Sequence, residues 1–181
     1  MRKIILLGLL GFVLAGCSSQ AIIDNMATAK TNVSDFDGSK QIYTQPMYVF
    51  ATTGFHAAPI SLGAKWIDKV QDFISVDVEI RGEYVNVEKL YLNIDGNIQE
   101  YKAIQALTKL SAPDPRTFAQ KTSKKSFMVP VNDIEKIKTA NSVKIKVTTL
   151  SDGYFEGVVI AQGRQSPGAK SLINVIDQIQ K

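Results

Sequence analysis

The chain has very little of the two residue types that most often build metal and redox sites. Among its 181 residues there is one cysteine, Cys17, and one histidine, His56. A single cysteine excludes an intramolecular disulfide, so a packed core must stabilise the fold, and the chain is long enough to form one. An ordinary zinc site needs several Cys or His ligands. We therefore predict no metal site and no cofactor.

A catalytic set is also missing from the sequence. His56 lies in the segment Gly54-Phe55-His56-Ala57-Ala58-Pro59, which indicates a loop after a strand. A histidine that acts as a general base needs a nucleophile and an orienting carboxylate beside it, and no motif in the sequence locates either. We interpret His56 as a structural or solvent-facing loop residue and expect a protein that is not an enzyme.

Long runs of one charge sign are absent. The chain has 21 basic and 17 acidic residues, a formal net charge of +4. Its densest basic cluster is Lys121-Thr-Ser-Lys124-Lys125, which predicts a solvated loop. A nucleic-acid site would need a longer basic stripe with aromatic residues in it. We therefore expect no nucleic-acid partner.

The N-terminus carries the one long apolar stretch. Met1-Arg2-Lys3 is basic, and residues 4–15 contain no charged side chain. A basic start followed by a short apolar run is the pattern of a secretory signal peptide. The run is shorter than the about 20 residues that a membrane-spanning helix needs. We predict that residues 1–16 are a cleaved signal.

The end of that stretch, Leu14-Ala15-Gly16-Cys17, resembles the lipobox of bacterial lipoproteins. The resemblance covers about the first twenty residues. It implies that a diacylglyceryl group is attached to the Cys17 thiol, that the signal is cut before Cys17, and that the new amino group is acylated. Acyl chains on one residue give stable membrane attachment. Cys17 is thus the predicted lipidation site, and the membrane is the predicted first partner.

The same resemblance implies a location. In Gram-negative lipoproteins an Asp after the Cys favours retention in the inner membrane, and here that position is Ser18. We expect an outer-membrane lipoprotein whose domain faces the periplasm. Loss of Arg2 and Lys3 with the signal would leave 19 basic and 17 acidic residues, a charge of +2.

The mature chain divides into two parts. Residues 17–41 are rich in Ala, Thr, Asn, Asp and Ser and predict a flexible tether, whereas residues 42–181 predict a single domain. Residues 73–80 alternate between apolar and polar side chains, as in a half-buried strand, and Asp95-Gly96 predicts a tight hairpin turn. Ser166-Pro167 predicts the start of a C-terminal amphipathic helix that packs on its own domain.

Several short strands with Gly-containing turns predict a mainly β (α+β) fold. We expect an antiparallel β-sandwich with one short crossover helix, near residues 132–140, and the C-terminal helix. The layout is similar to that of small β-rich envelope lipoproteins. The segment from Gly163 to Ser171 nearly matches a phosphate-binding loop, but Ala169 separates Gly168 from Lys170, so it predicts a linker between a strand and a helix.

Three functions remain open from the sequence. The first is a lipid-anchored, non-enzymatic binding or assembly module that engages another envelope protein. Its predicted working surfaces are the loops of residues 54–63 and 112–125 and the C-terminal helix. The second is a periplasmic carrier of a small or lipid-like ligand in a cavity between sheet and helix. The third is a hydrolase of envelope polymers, which would need two facing carboxylates.

Overall fold

A computed structural model describes residues 24–114, 120–151 and 153–181. The signal sequence and Cys17 lie outside these ranges. Within them the chain forms twelve β-strands and two helices longer than one turn. The strands are β1 Lys30–Val33, β2 Lys40–Tyr43, β3 Met47–Phe50, β4 Ala57–Ile67, β5 Phe73–Arg81, β6 Val87–Ile94, β7 Asn97–Ala103, β8 Lys109–Ser111, β9 Thr122–Pro130, β10 Val143–Thr149, β11 Tyr154–Ala161 and β12 Arg164–Gln165; the helices are α1 Val131–Thr139 and α2 Pro167–Ile179.

All twelve strands belong to one antiparallel sheet, which closes on itself. Eight of them form a ring in the order β4, β3, β11, β10, β6, β7, β9 and β5, and β5 pairs again with β4. The hairpin β1–β2 extends from β4, while β8 and β12 pair with β9 and β11. The prediction of a mainly β, antiparallel fold with two helices is confirmed. The layers expected of a sandwich are parts of one continuous, closed sheet.

Alternating side chains fill the space inside the ring. In β5 the side chains of Ile74, Val76, Val78 and Ile80 are buried, as the period-two pattern predicts. The turn between β6 and β7 has left-handed backbone at both central residues, with φ of 48° at Asp95 and 93° at Gly96. A two-residue hairpin turn of this type needs positive φ at both positions, and Asp-Gly tolerates it well.

The C-terminal helix belongs to the core. The Ser166 side chain caps α2 by accepting a hydrogen bond from the Ala169 amide at 3.1 Å, and the helix packs mainly on β4, α1 and β3. A Cβ atom on Gly168 would lie 2.8 Å from Cγ1 of Val49 and 2.9 Å from the Met47 carbonyl oxygen. The glycine therefore permits a close approach of helix to sheet.

The ordered fold begins before the boundary predicted near residue 42. β1 starts at Lys30 and pairs with β2, which in turn pairs with β4. Ala27 is fully buried, and its carbonyl oxygen accepts a hydrogen bond from the Asn174 side chain at 2.8 Å. Composition favoured a tether here because these residues are polar. Tertiary contacts with β4 and α2 are what order them.

The predicted solvated loop at residues 121–125 is instead the start of β9. Lys125 is only 7% exposed, on the same face of the strand as Phe127. Its ammonium group donates to the carbonyl oxygens of Val87 at 2.8 Å and Ala106 at 2.9 Å. The loop interpretation was wrong, since the hydrogen bonds that satisfy a buried lysine come from residues far away in the sequence.

Candidate functional site

A cleft lies on the outer face of β6, β10 and β11. It has a volume of about 620 Å³. Side chains alternate between the two faces along each strand, and those of Leu92 and Ile145 are buried. The residues before and after them therefore face outward into this cleft. We call this cleft the outer groove; its lining is Thr52, Tyr91, Asn93, Ile98, Lys144, Ile145, Lys146, Thr148, Glu156, Gly157 and Val158.

The strand register places the outward side chains in rows across the sheet. Lys146 of β10 stands opposite Tyr91 on one side and Glu156 on the other. Glu100 of β7 continues this row beyond Tyr91. The adjacent row contains Ile98, Asn93, Lys144 and Val158. The groove thus combines a charged row with a row that has apolar ends.

Contacts within the charged row fix most of its side chains. The Lys89 ammonium lies 3.4 Å from Glu100, and the Lys146 ammonium lies 3.9 Å from Glu156 and 4.2 Å from the centre of the Tyr154 ring. Both contacts of Lys146 hold its amine over β11. These charges are therefore largely balanced in pairs, although each pair is exposed and adds little to stability.

Electrostatics at Tyr91 follow from its neighbours. Its hydrogen bond to Glu100 raises the pKa of the Tyr91 hydroxyl, and desolvation adds to this effect. The negative charge of Glu100 raises the pKa of Lys89 as well. Tyr91 is therefore a neutral hydroxyl at physiological pH. Its ring lines the groove and is available for contact there.

Two groups in the groove have unused hydrogen-bonding capacity. Lys144 is exposed and makes no ion pair with any residue that the structure describes. The hydroxyl oxygen of Thr148 is buried without a hydrogen-bond partner among the same residues. A second cleft of about 320 Å³ shares Tyr91, Lys146 and Thr148 with the outer groove. Together they make a continuous surface for a polar ligand with apolar parts.

Two further clefts lie near β4, β5 and β9. One, of about 380 Å³, is polar and contains the ion pair of Lys124 and Asp77, whose nitrogen and oxygen atoms are 2.7 Å apart. The other, of about 260 Å³, is mostly apolar and is lined by Val70, Phe73, Met128 and other residues of both loops and strands.

The three working surfaces predicted from the sequence differ from the outer groove in their positions in the structure. Within residues 54–63 the loop ends at His56, because β4 begins at Ala57. His56 is exposed. The groove is lined instead by Thr52, which lies before the predicted segment in the chain. Of residues 112–125 the last four are strand β9, and residues 115–119 lie outside the described ranges. The apolar face of α2 is buried in the core.

The outer groove itself was not predicted. Tyr91 and Tyr154 belong to a set of six tyrosines from which the sequence could not select the exposed ones, and Tyr101 of that set is buried. The available signal was the alternation in β6 and β10, which marks Tyr91, Lys144 and Lys146 as outward-facing. Only the pairing of β6 with β10 brings them together.

No three His, Cys, Asp or Glu side chains within the described ranges are arranged to hold a metal ion. Neither α1 nor α2 has the length and apolar composition of a membrane-spanning helix. Comparison of the chain with protein-family models, curated proteins and solved structures found no match. The candidate site therefore depends on its geometry alone.

Proposed function

We propose that this chain is a lipid-anchored protein of the cell envelope whose domain binds another envelope component without catalysing a reaction. The N-terminal sequence supports the anchor: a basic start, residues 4–15 without charge, and Leu14-Ala15-Gly16-Cys17. Ser18 after the cysteine supports the outer membrane as the proposed location, with the domain in the periplasm.

The observation that carries the binding role is the outer groove. Its volume of about 620 Å³ falls within the range of roughly 300–1,000 Å³ that is usual for ligand sites. It offers the Tyr91 ring and apolar Ile98 and Val158 beside the ammonium of Lys144, which forms no ion pair within the described ranges. Such a mixture of aromatic, apolar and hydrogen-bonding groups suits recognition of a polar partner.

The spacing of carboxylates favours binding over hydrolysis. Glu100 and Glu156 stand on β7 and β11, three strand spacings apart, which corresponds to roughly 14 Å along the sheet. The paired carboxyl groups of glycosidases lie about 5–9.5 Å apart. Each of these glutamates is also paired with a lysine, so neither is arranged as a general acid.

The alternative role as a carrier would need a cavity between the sheet and α2. At Gly168 the helix approaches β3 so closely that even a methyl group would meet Val49. None of the four clefts described above is lined by a residue of α2. The binding role on the outer face is therefore the one we favour.

Site-specific crosslinking tests this role. A photoreactive amino acid at position 144 should capture a defined envelope component in living cells, whereas the same group at Lys109, exposed on β8, should not. Tyr91→Ala should reduce the capture at position 144. Equal capture at both positions, or none at position 144, would contradict a role for the groove.

A further inference from the structure

The side chain of Arg164, on the short strand β12, is held against two aromatic rings. Its guanidinium carbon Cζ lies 4.3 Å from the centre of the Phe55 ring and 5.8 Å from the centre of the Phe50 ring. The two rings meet edge to face, with their centres 5.3 Å apart. Attraction between a guanidinium group and aromatic rings favours this position even at an exposed site. Arg164 is therefore held by apolar neighbours and not by a carboxylate.

The hydrogen-bond donors of this guanidinium group are not used by the protein. Within residues 24–114, 120–151 and 153–181, Arg164 forms neither a hydrogen bond nor an ion pair. A guanidinium group has five N–H donors in one plane, arranged as a fork that fits the two oxygens of a carboxylate. Because its ring contacts involve no acceptor oxygen, these donors are available to a ligand.

The guanidinium group of Arg164 adjoins the outer groove. Phe50 of β3 pairs with Val158 of β11, and directly paired residues of neighbouring strands place their side chains on the same face. Val158 lines the groove, and so does Thr52, three residues before Phe55 in the chain. The row of outward side chains that contains Val158 therefore continues past the groove to the two phenylalanine rings and Arg164.

Lys144 is a second cation in this row without an ion pair among the described residues. It pairs with Val158 from the side opposite to Phe50. Adjacent strands are about 4.8 Å apart, so roughly 10 Å separates the backbones of Lys144 and Phe50. Two unpaired positive charges thus flank one apolar position. We call this set of residues the cationic row: Ile98, Asn93, Lys144, Val158, Phe50, Phe55 and Arg164.

The acidic side chains near the cationic row already have partners. Glu156 lies 3.9 Å from the ammonium of Lys146. Asp95 accepts hydrogen bonds from the amides of Ser142 at 2.7 Å and Asn141 at 3.3 Å, one on each carboxylate oxygen. No member of the cationic row is itself acidic. Within the described part of the chain its positive charge is uncompensated, and charge complementarity therefore favours a negatively charged partner.

The apolar members of the cationic row narrow the class of partner. Ile98 is 64% exposed at one end, and Phe55 is 52% exposed at the other. From Ile98 on β7 to Phe50 on β3 the row crosses four strand spacings, roughly 19 Å, which an extended peptide of about six residues also spans. A peptide supplies acidic and apolar side chains together. A sugar chain has no apolar side chains, and lipid tails need an enclosed apolar pocket, whereas this groove lies on an outer sheet face.

We propose that the cationic row binds an extended, acidic segment of another envelope protein, with one carboxylate at Arg164, another at Lys144, and apolar side chains against Phe55 and Ile98. This inference rests on the proposed binding role of the outer groove and names the chemistry of its partner. Arg164 supplies a forked pair of hydrogen bonds to a carboxylate, whereas Lys144 supplies a point charge. Phe55 is a positioning residue, because its ring holds the guanidinium group.

Binding of two short peptides to the full, lipidated protein in neutral detergent tests the proposal. One six-residue peptide alternates leucine with glutamate, and the other has glutamine in place of each glutamate. Anisotropy of a dye on the peptide measures the affinity. We expect the glutamate peptide to bind roughly ten times more tightly, with a preference that shrinks as salt is added. Arg164→Gln and Lys144→Gln should each lower this preference about three- to fivefold. Lys109→Gln, on β8, makes the same change of charge and should have no effect.

Two further variants separate the geometry of the site from its charge. Arg164→Lys keeps the positive charge but loses the planar fork, so it should keep only part of the preference for glutamate. Phe55→Leu changes no charge and removes the ring that holds the guanidinium group, so it should lower the same preference. Because Phe55 is half exposed, the urea midpoint of Phe55→Leu should stay close to that of the parent protein.

Other outcomes overturn the inference. Equal affinity for the two peptides, no binding of the glutamate peptide, or a preference that survives loss of both cations would reject an acidic partner. Crosslinking in cells from a photoreactive group at position 52, which lines the groove without a charge, separates this failure from that of the binding role. A captured protein segment without Asp or Glu would keep the binding role and reject the acidic partner. A captured glycan or phospholipid would reject a protein partner, and no capture would reject the binding role as well.

Discussion

The ammonium group of Lys125 lies on the buried face of β9 and donates a hydrogen bond to the carbonyl oxygen of Val87 at 2.8 Å. A second bond, to the Ala106 carbonyl oxygen, ties the loop of residues 104–108 to the same point. This loop lies between β7, which ends its pairing with β9 at Ala103, and β8, which resumes it at Lys109. Lys125 thus holds together a part of the ring where the strand pairing is interrupted.

Replacement of Lys125 should therefore destabilise the fold. Lys125→Met keeps most of the side-chain volume but removes two charge-assisted hydrogen bonds, and the Ala106 carbonyl loses its partner. We expect a loss of about 1–3 kcal/mol in the free energy of unfolding. Urea denaturation measures it. Lys109→Met, at an exposed position of the neighbouring strand β8, is the matched control and should cost less than about 0.5 kcal/mol; equal effects would contradict a structural role for Lys125.

Replacing Gly168 of α2 with alanine should destabilise the fold, although a glycine-to-alanine change usually stabilises a helix. In an exposed helix interior such a change stabilises by up to about 1 kcal/mol. At Gly168 the added methyl group would meet Val49 and the Met47 carbonyl oxygen. We expect Gly168→Ala to destabilise by about 1–3 kcal/mol through overpacking. In a Val49→Ala background the cost of Gly168→Ala should fall, and a cost that does not change would place the obstruction elsewhere.

The hydrogen bonds of Asp37, in the loop of residues 34–39 between β1 and β2, should make the stability of the fold depend on pH in the acid range. Hydrogen bonds from Lys69 and then from Ser39 hold the pKa of Asp37 well below its ordinary value of 3.8. Because the pKa is lower in the folded state, the contribution of Asp37 is fully present above that ordinary value. It is lost as the pH falls toward the folded-state pKa.

Comparison with Asp37→Asn tests this dependence. The variant should have a lower urea midpoint than the parent protein at neutral pH, and the difference should shrink as the solution is acidified. The effect should be small because the pair is exposed. Asp35→Asn, in the same loop, is the control for the loss of one negative charge, and its urea midpoint at neutral pH should match that of the parent protein. A difference that stays constant across the acid range would exclude titration of Asp37 as its cause.

The lipid anchor makes a prediction for the whole chain. Intact-mass measurement of protein extracted from membranes should give a product that begins at Cys17 and carries acyl chains. The diacylglyceryl group on the thiol and the acyl group on the new amino terminus would both be attached to this residue. Cys17→Ala should remove the acyl mass and release the protein from the membrane fraction. Ser18→Ala should leave both unchanged. An unmodified parent protein cut at another position would contradict the anchor.

Local patterns in the sequence predicted local structure well. The alternation in residues 73–80 follows which side chains of β5 are buried, and Asp95-Gly96 forms the expected hairpin turn. Ser166 caps α2, as Ser166-Pro167 predicted. These features depend on side-chain period and on backbone preferences of a few adjacent residues, which the sequence contains directly.

The sequence by itself determined the mainly β class, the strand at residues 73–80, the hairpin turn at Asp95-Gly96 and the helix that ends the fold; its prediction for Cys17 stays a prediction. Only the tertiary structure decided that β4 pairs with both β3 and β5, that Lys125 is buried, and that Tyr91 and Lys144 share a groove. The physical reason is that alternation is a local signal, whereas strand pairing joins residues that are far apart in the sequence. Alternation tells which face of a strand is apolar, but every strand carries that signal alike, and the choice of neighbours depends on the packing of the whole chain.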